Sequence, residues 1–213
     1  MIPNPSYMDH QSEISWPMRS VLMNWIVQTH NSFALSLEVL FLAVNFVDRF
    51  LSVRNISANR LLLVGATALL VAAKYEDTNY PSVQQIESIV NGTYTVDDII
   101  NAEKSMLATL DFELGWPGPM SFLRRISKAD NYNLETRTLA KYFLEITIMD
   151  ERFIIYTPSF LAAGAHSLAR TMLKKGRWVS FIHFACYPCL SSTQRPKHTL
   201  VIPDTPHMSC IPF

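Results

Sequence analysis

Three apolar segments with helical spacing lie close together between Met18 and Asp77, and they constrain the fold more than any other feature. The first runs from Met18 to about His30, the second from about Leu37 to Leu51, and the third from about Ala58 to Tyr75. Their apolar residues recur every three or four positions, which is the spacing of one face of an α-helix. Since only 6 glycines occur in 213 residues and strand-like alternation is scarce, the chain is predicted to be all-α.

A few charges interrupt these apolar segments. Arg19 and Asp48 each lie within otherwise apolar helical patterns, and Lys74 ends the most hydrophobic segment of the chain. A charge buried in such surroundings destabilises a fold unless an opposite charge or hydrogen bonds compensate it. We therefore expect each of the three side chains to have a specific partner.

Five further helices are predicted beyond the third segment. One begins at Pro81 and Ser82 and ends at about Val90, and the next covers Val96 to Leu110, with Thr95 as its N-cap. A Gly/Pro cluster at residues 115–119 then predicts a domain boundary. Helical periodicity resumes in three segments, at residues 120–127, 134–148 and 159–174.

The character of the chain changes after Trp178. Residues 180–213 contain all 3 cysteines, five prolines and only three charged side chains, and we expect this segment to be irregular. The predicted organisation is a short N-terminal leader at 1–17, a first helical domain at 18–116, a partial second domain at 117–179, and an atypical tail at 180–213.

Composition and short motifs exclude several function classes. The 18 basic residues balance the 18 acidic ones, which argues against a nucleic-acid-binding or membrane-surface protein. The apolar run from Leu61 to Ala73 is too short to span a bilayer, and no signal peptide opens the chain, so an intracellular protein is expected. Cys186 and Cys189 form an isolated C-x-x-C without a second pair, so we expect no metal site, no cofactor and no catalytic residues.

Five ordered motifs resemble the cyclin family, most closely the A/B-type mitotic cyclins and, among these, the fungal B-type. The resemblance covers about Tyr7 to Trp178 and implies two five-helix cyclin folds in tandem, the second incomplete at its C-terminus. The motifs are MRSVLMNWIVQTH, LAVNFVDRFLS, LLLVGATALLVAAKYED, TYTVDDIINAEKSMLATLDFEL and FLRRISKADNYNLETRTLAKYFLEITIMD.

The resemblance assigns roles to the charged residues. The residues that mark the family are all present: Arg19, Asp48, Leu63, Lys74 and Glu103. It implies that Arg19 and Asp48 pair inside the first domain, and that Lys74 and Glu103 contact a cyclin-dependent kinase catalytic subunit. The apolar positions of the implied kinase-binding pocket are Val71, Tyr75, Leu107, Phe112 and Leu114.

The residues alone leave other roles open for the two proposed kinase contacts. Lys74 near the end of a helix is also explained by a favourable interaction with the helix dipole. Glu103 is also explained as a solvated surface residue.

The resemblance implies a second surface, which is formed by the first predicted helix and the start of the third. In mitotic cyclins the corresponding patch docks Arg-x-Leu motifs of substrates and inhibitors. The matching positions are Met18, Val21, Leu22, Trp25 and Leu61. The alternative is that most of these side chains belong to the core, and Leu62 stands where the family usually has Gln.

The expected function is that of a regulatory subunit, not an enzyme, which activates a cyclin-dependent kinase in G2/M control and recruits its substrates in the nucleus and cytoplasm. One alternative is a cyclin-fold transcription-type factor, although the neutral charge and the lack of a zinc-ribbon motif disfavour it. Another is an aberrant or truncated cyclin with impaired activity, because the tail does not continue the second fold.

Overall fold

The computed structural model describes residues 2–176, and within this range the chain forms eight α-helices and no strand. The helices are α1 (Trp16–Ser32), α2 (Leu37–Val53), α3 (Leu61–Glu76), α4 (Val83–Ile89), α5 (Val96–Thr109), α6 (Pro119–Ala129), α7 (Leu134–Met149) and α8 (Pro158–Met172). The predicted all-α fold is confirmed. The expectations for the tail at 180–213 lie outside the described residues.

Local sequence signals explain where several helices begin. Ser82 and Gln85 form a reciprocal capping box at α4, and Thr95 and Asp98 form another at α5. The third helix starts later than its apolar pattern predicts, because a 3₁₀ turn at Ala58–Arg60 precedes it. Helical spacing alone does not distinguish such a turn from the first turn of an α-helix.

Helix α3 is the central helix of the first bundle and packs against α1, α2 and α5. It packs tightly against α1 at Gly65, where an added Cβ would lie 2.5 Å from Leu22 Cδ1. The segment Ala58–Glu76 is long and apolar enough to cross a membrane by length and composition, yet 67% of its most apolar window is buried in the fold. Its apolar character is therefore explained by its place in the core.

Helices α6, α7 and α8 form the second bundle. The small side chains of Ala162, Ala163 and Ala169 are fully buried and allow α8 to pack closely against its neighbours. At one end, Asp130 contacts Arg170 and lies 3.1 Å from His166 Nε2. One continuous apolar core includes buried residues of both bundles.

Arg19 and Asp48 form an ion pair in the interior, with side chains only 2% and 5% exposed. Arg19 Nε and Nη2 donate to the two carboxylate oxygens of Asp48, each at 2.8 Å. Tyr7 also donates its hydroxyl to Asp48 Oδ1 at 2.9 Å, and Arg19 Nη1 donates to the Ile148 carbonyl at 3.1 Å. Burial disfavours the charge on Arg19, but the carboxylate of Asp48 outweighs this effect and raises the pKa of Arg19.

The structure gives the N-terminal segment a larger role than that of a leader. Tyr7 is fully buried, and its ring packs edge-on against Trp16 at 5.1 Å between centroids. The Gln11 side chain donates to the carbonyls of Leu51 and Arg54 at 2.8 and 2.7 Å. These contacts attach the segment to the C-terminal end of α2. Its polar, proline-containing sequence did not predict this, because a few individual side chains make the attachment.

Replacing Asp48 with Asn should lower the free energy of unfolding by about 3–5 kcal/mol, because the guanidinium of Arg19 would stay buried without a counter-charge. Denaturant unfolding followed by circular dichroism measures the change. Adding Arg19→Met to the same chain should recover part of the loss, since the uncompensated charge is then removed. A loss below about 1 kcal/mol for Asp48→Asn alone would contradict the structural role of the pair.

The second bundle should become less stable in mild acid because of His166. Burial lowers the pKa of this histidine below its ordinary value near 6.5, although the charge of Asp130 opposes the shift. The unfolded chain therefore binds a proton that the folded chain does not, and stability falls as the pH drops below that value. Unfolding curves from about pH 7.5 to about pH 5 should show this slope, and His166→Gln should reduce it. An equal pH dependence of the free energy of unfolding in both proteins would show that His166 is not the group responsible.

Candidate protein-docking surface

Lys74 and Glu103 form an ion pair at the surface where α3 packs against α5. Lys74 Nζ donates to both carboxylate oxygens of Glu103, at 2.7 and 2.9 Å. The side chains are 34% and 17% exposed, so a partner protein can reach both. The structure therefore brings the two predicted contact residues together as a pair.

Four of the predicted apolar positions lie on the elements that carry this pair: Tyr75 follows Lys74 in α3, Leu107 lies one turn after Glu103 in α5, and Phe112 and Leu114 lie in the segment after α5. Tyr75 is 50% exposed and Phe112 is 70% exposed, whereas Leu107 and Leu114 are partly buried. Val71 is also predicted at this surface, but it is only 3% exposed and its side chain belongs to the core. We call the set Lys74, Tyr75, Glu103, Leu107, Phe112 and Leu114 the α3/α5 surface.

The backbone after α5 determines how Phe112 is presented. Asp111 and Phe112 have φ angles of 51° and 55°, in the left-handed region that residues with a Cβ seldom adopt. The Phe112 amide donates to the Leu107 carbonyl at 3.0 Å, which closes the end of the helix. The resulting turn directs a large aromatic side chain into solvent. Strained backbone of this kind is concentrated at binding sites.

The arrangement suits recognition of another protein better than chemistry on a small molecule. An exposed aromatic ring supplies apolar contact area, and the Lys74–Glu103 pair supplies a hydrogen-bond donor and acceptors for a partner's backbone. Among residues 2–176 no group of three or more His, Cys, Asp or Glu side chains is arranged to hold a metal ion. The C-x-x-C at Cys186 and Cys189 lies outside this range.

The second predicted surface is smaller in the structure than the sequence indicates. Leu22 and Leu61 are 4% and 6% exposed, so they are core residues and offer no docking area. Val21 is 70% exposed, whereas Met18 and Trp25 are partly buried. The resemblance placed all of these residues on one patch, but the close contact between α1 and α3 buries Leu22.

Comparison with known families gives matches along most of the chain. The model described as "Cyclin, N-terminal domain" matches residues 1–115, and "Cyclin, C-terminal domain" matches residues 117–191. The second match therefore continues past Trp178, where the resemblance read from the sequence ends.

Several curated proteins with similar sequences are fungal mitotic cyclins. The G2/mitotic-specific cyclin-4 of Candida albicans is 57% identical over 176 residues, which are 83% of this chain and 36% of that protein. The G2/mitotic-specific cyclin-4 of Saccharomyces cerevisiae is 48% identical over 207 residues, which are 97% of this chain and 45% of that protein. The chain thus spans less than half the length of these two relatives.

Solved structures show the same fold at low sequence identity. A viral cyclin from herpesvirus saimiri has a TM-score of 0.76 and 18% identity, covering 85% of this chain and 82% of that chain. A chain of the yeast RNA polymerase II CTD kinase complex CTDK-1 has a TM-score of 0.68 and 11% identity, covering 84% of this chain and 61% of that chain. These likenesses confirm the tandem fold.

Breaking the Lys74–Glu103 pair should change the stability of the chain very little. Solvent screens a surface ion pair, so Lys74→Met or Glu103→Gln should each lower the free energy of unfolding by no more than ~1 kcal/mol. Denaturant unfolding measures these losses, and Asp48→Asn measured in the same way gives the larger loss expected for a buried pair. A loss of several kcal/mol would show that the pair stabilises the fold and is not available to a partner.

Proposed function

Because the chain belongs to the cyclin family, we propose that it is a regulatory subunit that binds and activates a cyclin-dependent protein kinase in G2/M control. The observation that carries the proposal is the α3/α5 surface, which combines the exposed ring of Phe112 with the accessible Lys74–Glu103 pair. The names of the relatives support the cell-cycle stage, since they are G2/mitotic-specific cyclins.

The proposed mechanism is allosteric. In a protein kinase, a Lys–Glu ion pair that orients the ATP phosphates forms only when the helix carrying the Glu is correctly positioned. Docking of that helix on the α3/α5 surface would favour the active position. All catalytic groups remain on the kinase, and this chain contributes no catalytic residue.

The energetic requirement follows from the two-state nature of such a switch. A kinase that is 99% inactive alone becomes 99% active only if the regulatory chain binds the active state about 10⁴-fold more tightly. Contacts that exist in one state only must supply this preference. Lys74 and Glu103 can supply such contacts. In the inactive state the kinase helix would be displaced, and the two side chains would bond only to each other. In the active state they would also bond to the docked helix.

A large interface is needed to hold the two proteins together. Stable complexes usually bury about 1,200–2,000 Å² in total, and a few aromatic or arginine side chains carry most of the binding energy. Phe112 is a candidate for such a residue, because it is the more exposed of the two aromatic residues on this surface. The hydroxyl of Tyr75 lies 3.1 Å from the position that a Cβ of Gly115 would take, so Tyr75 reaches the segment that follows Phe112.

Substrate recruitment is proposed for the exposed part of the second surface. Met18, Val21 and Trp25 present an apolar edge on α1 that could receive the leucine of an Arg-x-Leu motif. We also propose a nuclear and cytoplasmic location, where a cell-cycle kinase would meet its substrates. Binding of a fluorescent Arg-x-Leu peptide, lost on Val21→Asp, would support the docking role.

The kinase proposal predicts a strong and specific effect of Phe112→Ala. We expect at least about 30-fold more of this variant to be needed for half-maximal kinase activation, as for a binding hot spot. The measurement is phosphorylation of histone by a recombinant fungal mitotic cyclin-dependent kinase, with the chain titrated.

Tyr142→Ala is the matched control, because Tyr142 is an aromatic residue of α7 with 58% exposure on the second bundle. It should activate like the unaltered chain. No activation by the unaltered, folded chain at any concentration would overturn the proposed function.

A further inference from the structure

We infer that Arg49 is a positioning residue for kinase binding: it holds the turn after α5 in the conformation that presents Phe112. The inference rests on the proposed function, because it concerns the same surface. It assigns a role to a residue that lies on another helix and that the sequence patterns did not single out.

The turn needs an external support because of its backbone conformation. Asp111 and Phe112 both have left-handed φ angles, 51° and 55°. Asp tolerates this region better than most residues, whereas a bulky residue such as Phe does not. Residues persist in such conformations only when the surrounding structure fixes them. The Phe112 side chain cannot supply that support, because it is 70% exposed.

Arg49 bonds to the turn on both sides of the two left-handed residues. Its Nη1 donates to the Glu113 carbonyl at 2.8 Å, and its Nη2 lies 3.4 Å from the Leu110 carbonyl. Leu110 precedes the left-handed pair and Glu113 follows it. A guanidinium is planar and presents its donors in a fixed fork, so one side chain can restrain both ends of the turn.

The position of Arg49 is itself set by the core. Arg49 lies in α2, directly between the buried residues Asp48 and Phe50. Partial burial lowers the pKa of Arg49, and the nearby carboxylates of Glu113 and Asp111 oppose that shift. The turn is therefore attached to one of the best-packed helices of the first bundle.

The chain offers a matched control in Arg54. Its Nε donates to the Thr109 hydroxyl at 3.3 Å, so it reaches the same end of α5 from the segment after α2. Thr109 is the last residue of α5 and precedes the turn. Arg54→Gln removes the same charge as Arg49→Gln but leaves both turn carbonyls bonded to Arg49.

The test compares the 213-residue chain with variants Arg49→Gln, Arg54→Gln, Phe112→Ala and the double variant Arg49→Gln/Phe112→Ala. The first measurement is the dissociation constant for a recombinant fungal mitotic cyclin-dependent kinase. We expect Arg49→Gln to weaken binding about tenfold and Arg54→Gln to leave it within about twofold. The double variant should bind no more than about twofold more weakly than Phe112→Ala alone, because Arg49 acts through Phe112.

The second measurement is amide hydrogen exchange of the free chain. Arg49→Gln should accelerate exchange at the amides of residues 112–114 and leave the amides of α3 unchanged. Arg49→Lys keeps the charge and the aliphatic stem, so it should give an intermediate dissociation constant even if Arg49→Gln folds poorly.

Two results would overturn the inference: normal binding by Arg49→Gln, or additive losses in the double variant. Failure of the unaltered chain to bind the kinase would overturn the proposed function instead. Hydrogen exchange would then still decide the role of Arg49, because unchanged exchange at residues 112–114 in Arg49→Gln would refute its hold on the turn.

Discussion

The buried ion pair between Arg19 and Asp48 is the interaction on which the other helix positions depend. Two oppositely charged groups in an apolar interior leave little freedom, because small displacements lose both the attraction and the hydrogen bonds. Here Asp48 also accepts a hydrogen bond from the Tyr7 hydroxyl, and Arg19 donates one to the Ile148 carbonyl. Four segments that are distant in sequence therefore meet at one polar contact. The apolar core gives the folded state its stability, and this contact selects one arrangement of the helices.

Much of the fold could be predicted from the sequence, because helical periodicity and caps are local signals. The capping residues Ser82 and Thr95 and the apolar stripe of α2 are examples. The N-terminal attachment could not be predicted, since Gln11 bonds to backbone carbonyls, which every residue possesses. The hydrogen bond from Arg19 to the Ile148 carbonyl could not be predicted for the same reason. Contacts of this kind become visible only when the backbone path is known.

The candidate site shows the same division. The resemblance to cyclins pointed to Lys74 and Glu103, and the structure places them in contact. Helical spacing cannot tell whether a residue near the edge of an apolar stripe is buried, as the contrast between Leu22 and Val21 shows. Phe112 was expected at the surface, but its left-handed backbone had no sequence signal, because neither Asp111 nor Phe112 is a glycine.

Asp48 and Arg49 are consecutive residues of α2, and this adjacency has a consequence for how the chain can vary. Successive side chains on a helix point about 100° apart, so one faces the interior while the next reaches the turn after α5. Both contacts therefore depend on the same rotation of α2 about its axis. Inserting or deleting a single residue upstream within α2 would rotate both side chains together, whereas a loop that neither side chain contacts can change length without disturbing either. We therefore expect α2 to tolerate no insertion or deletion before these residues, whereas loops without contacts to them can vary in length.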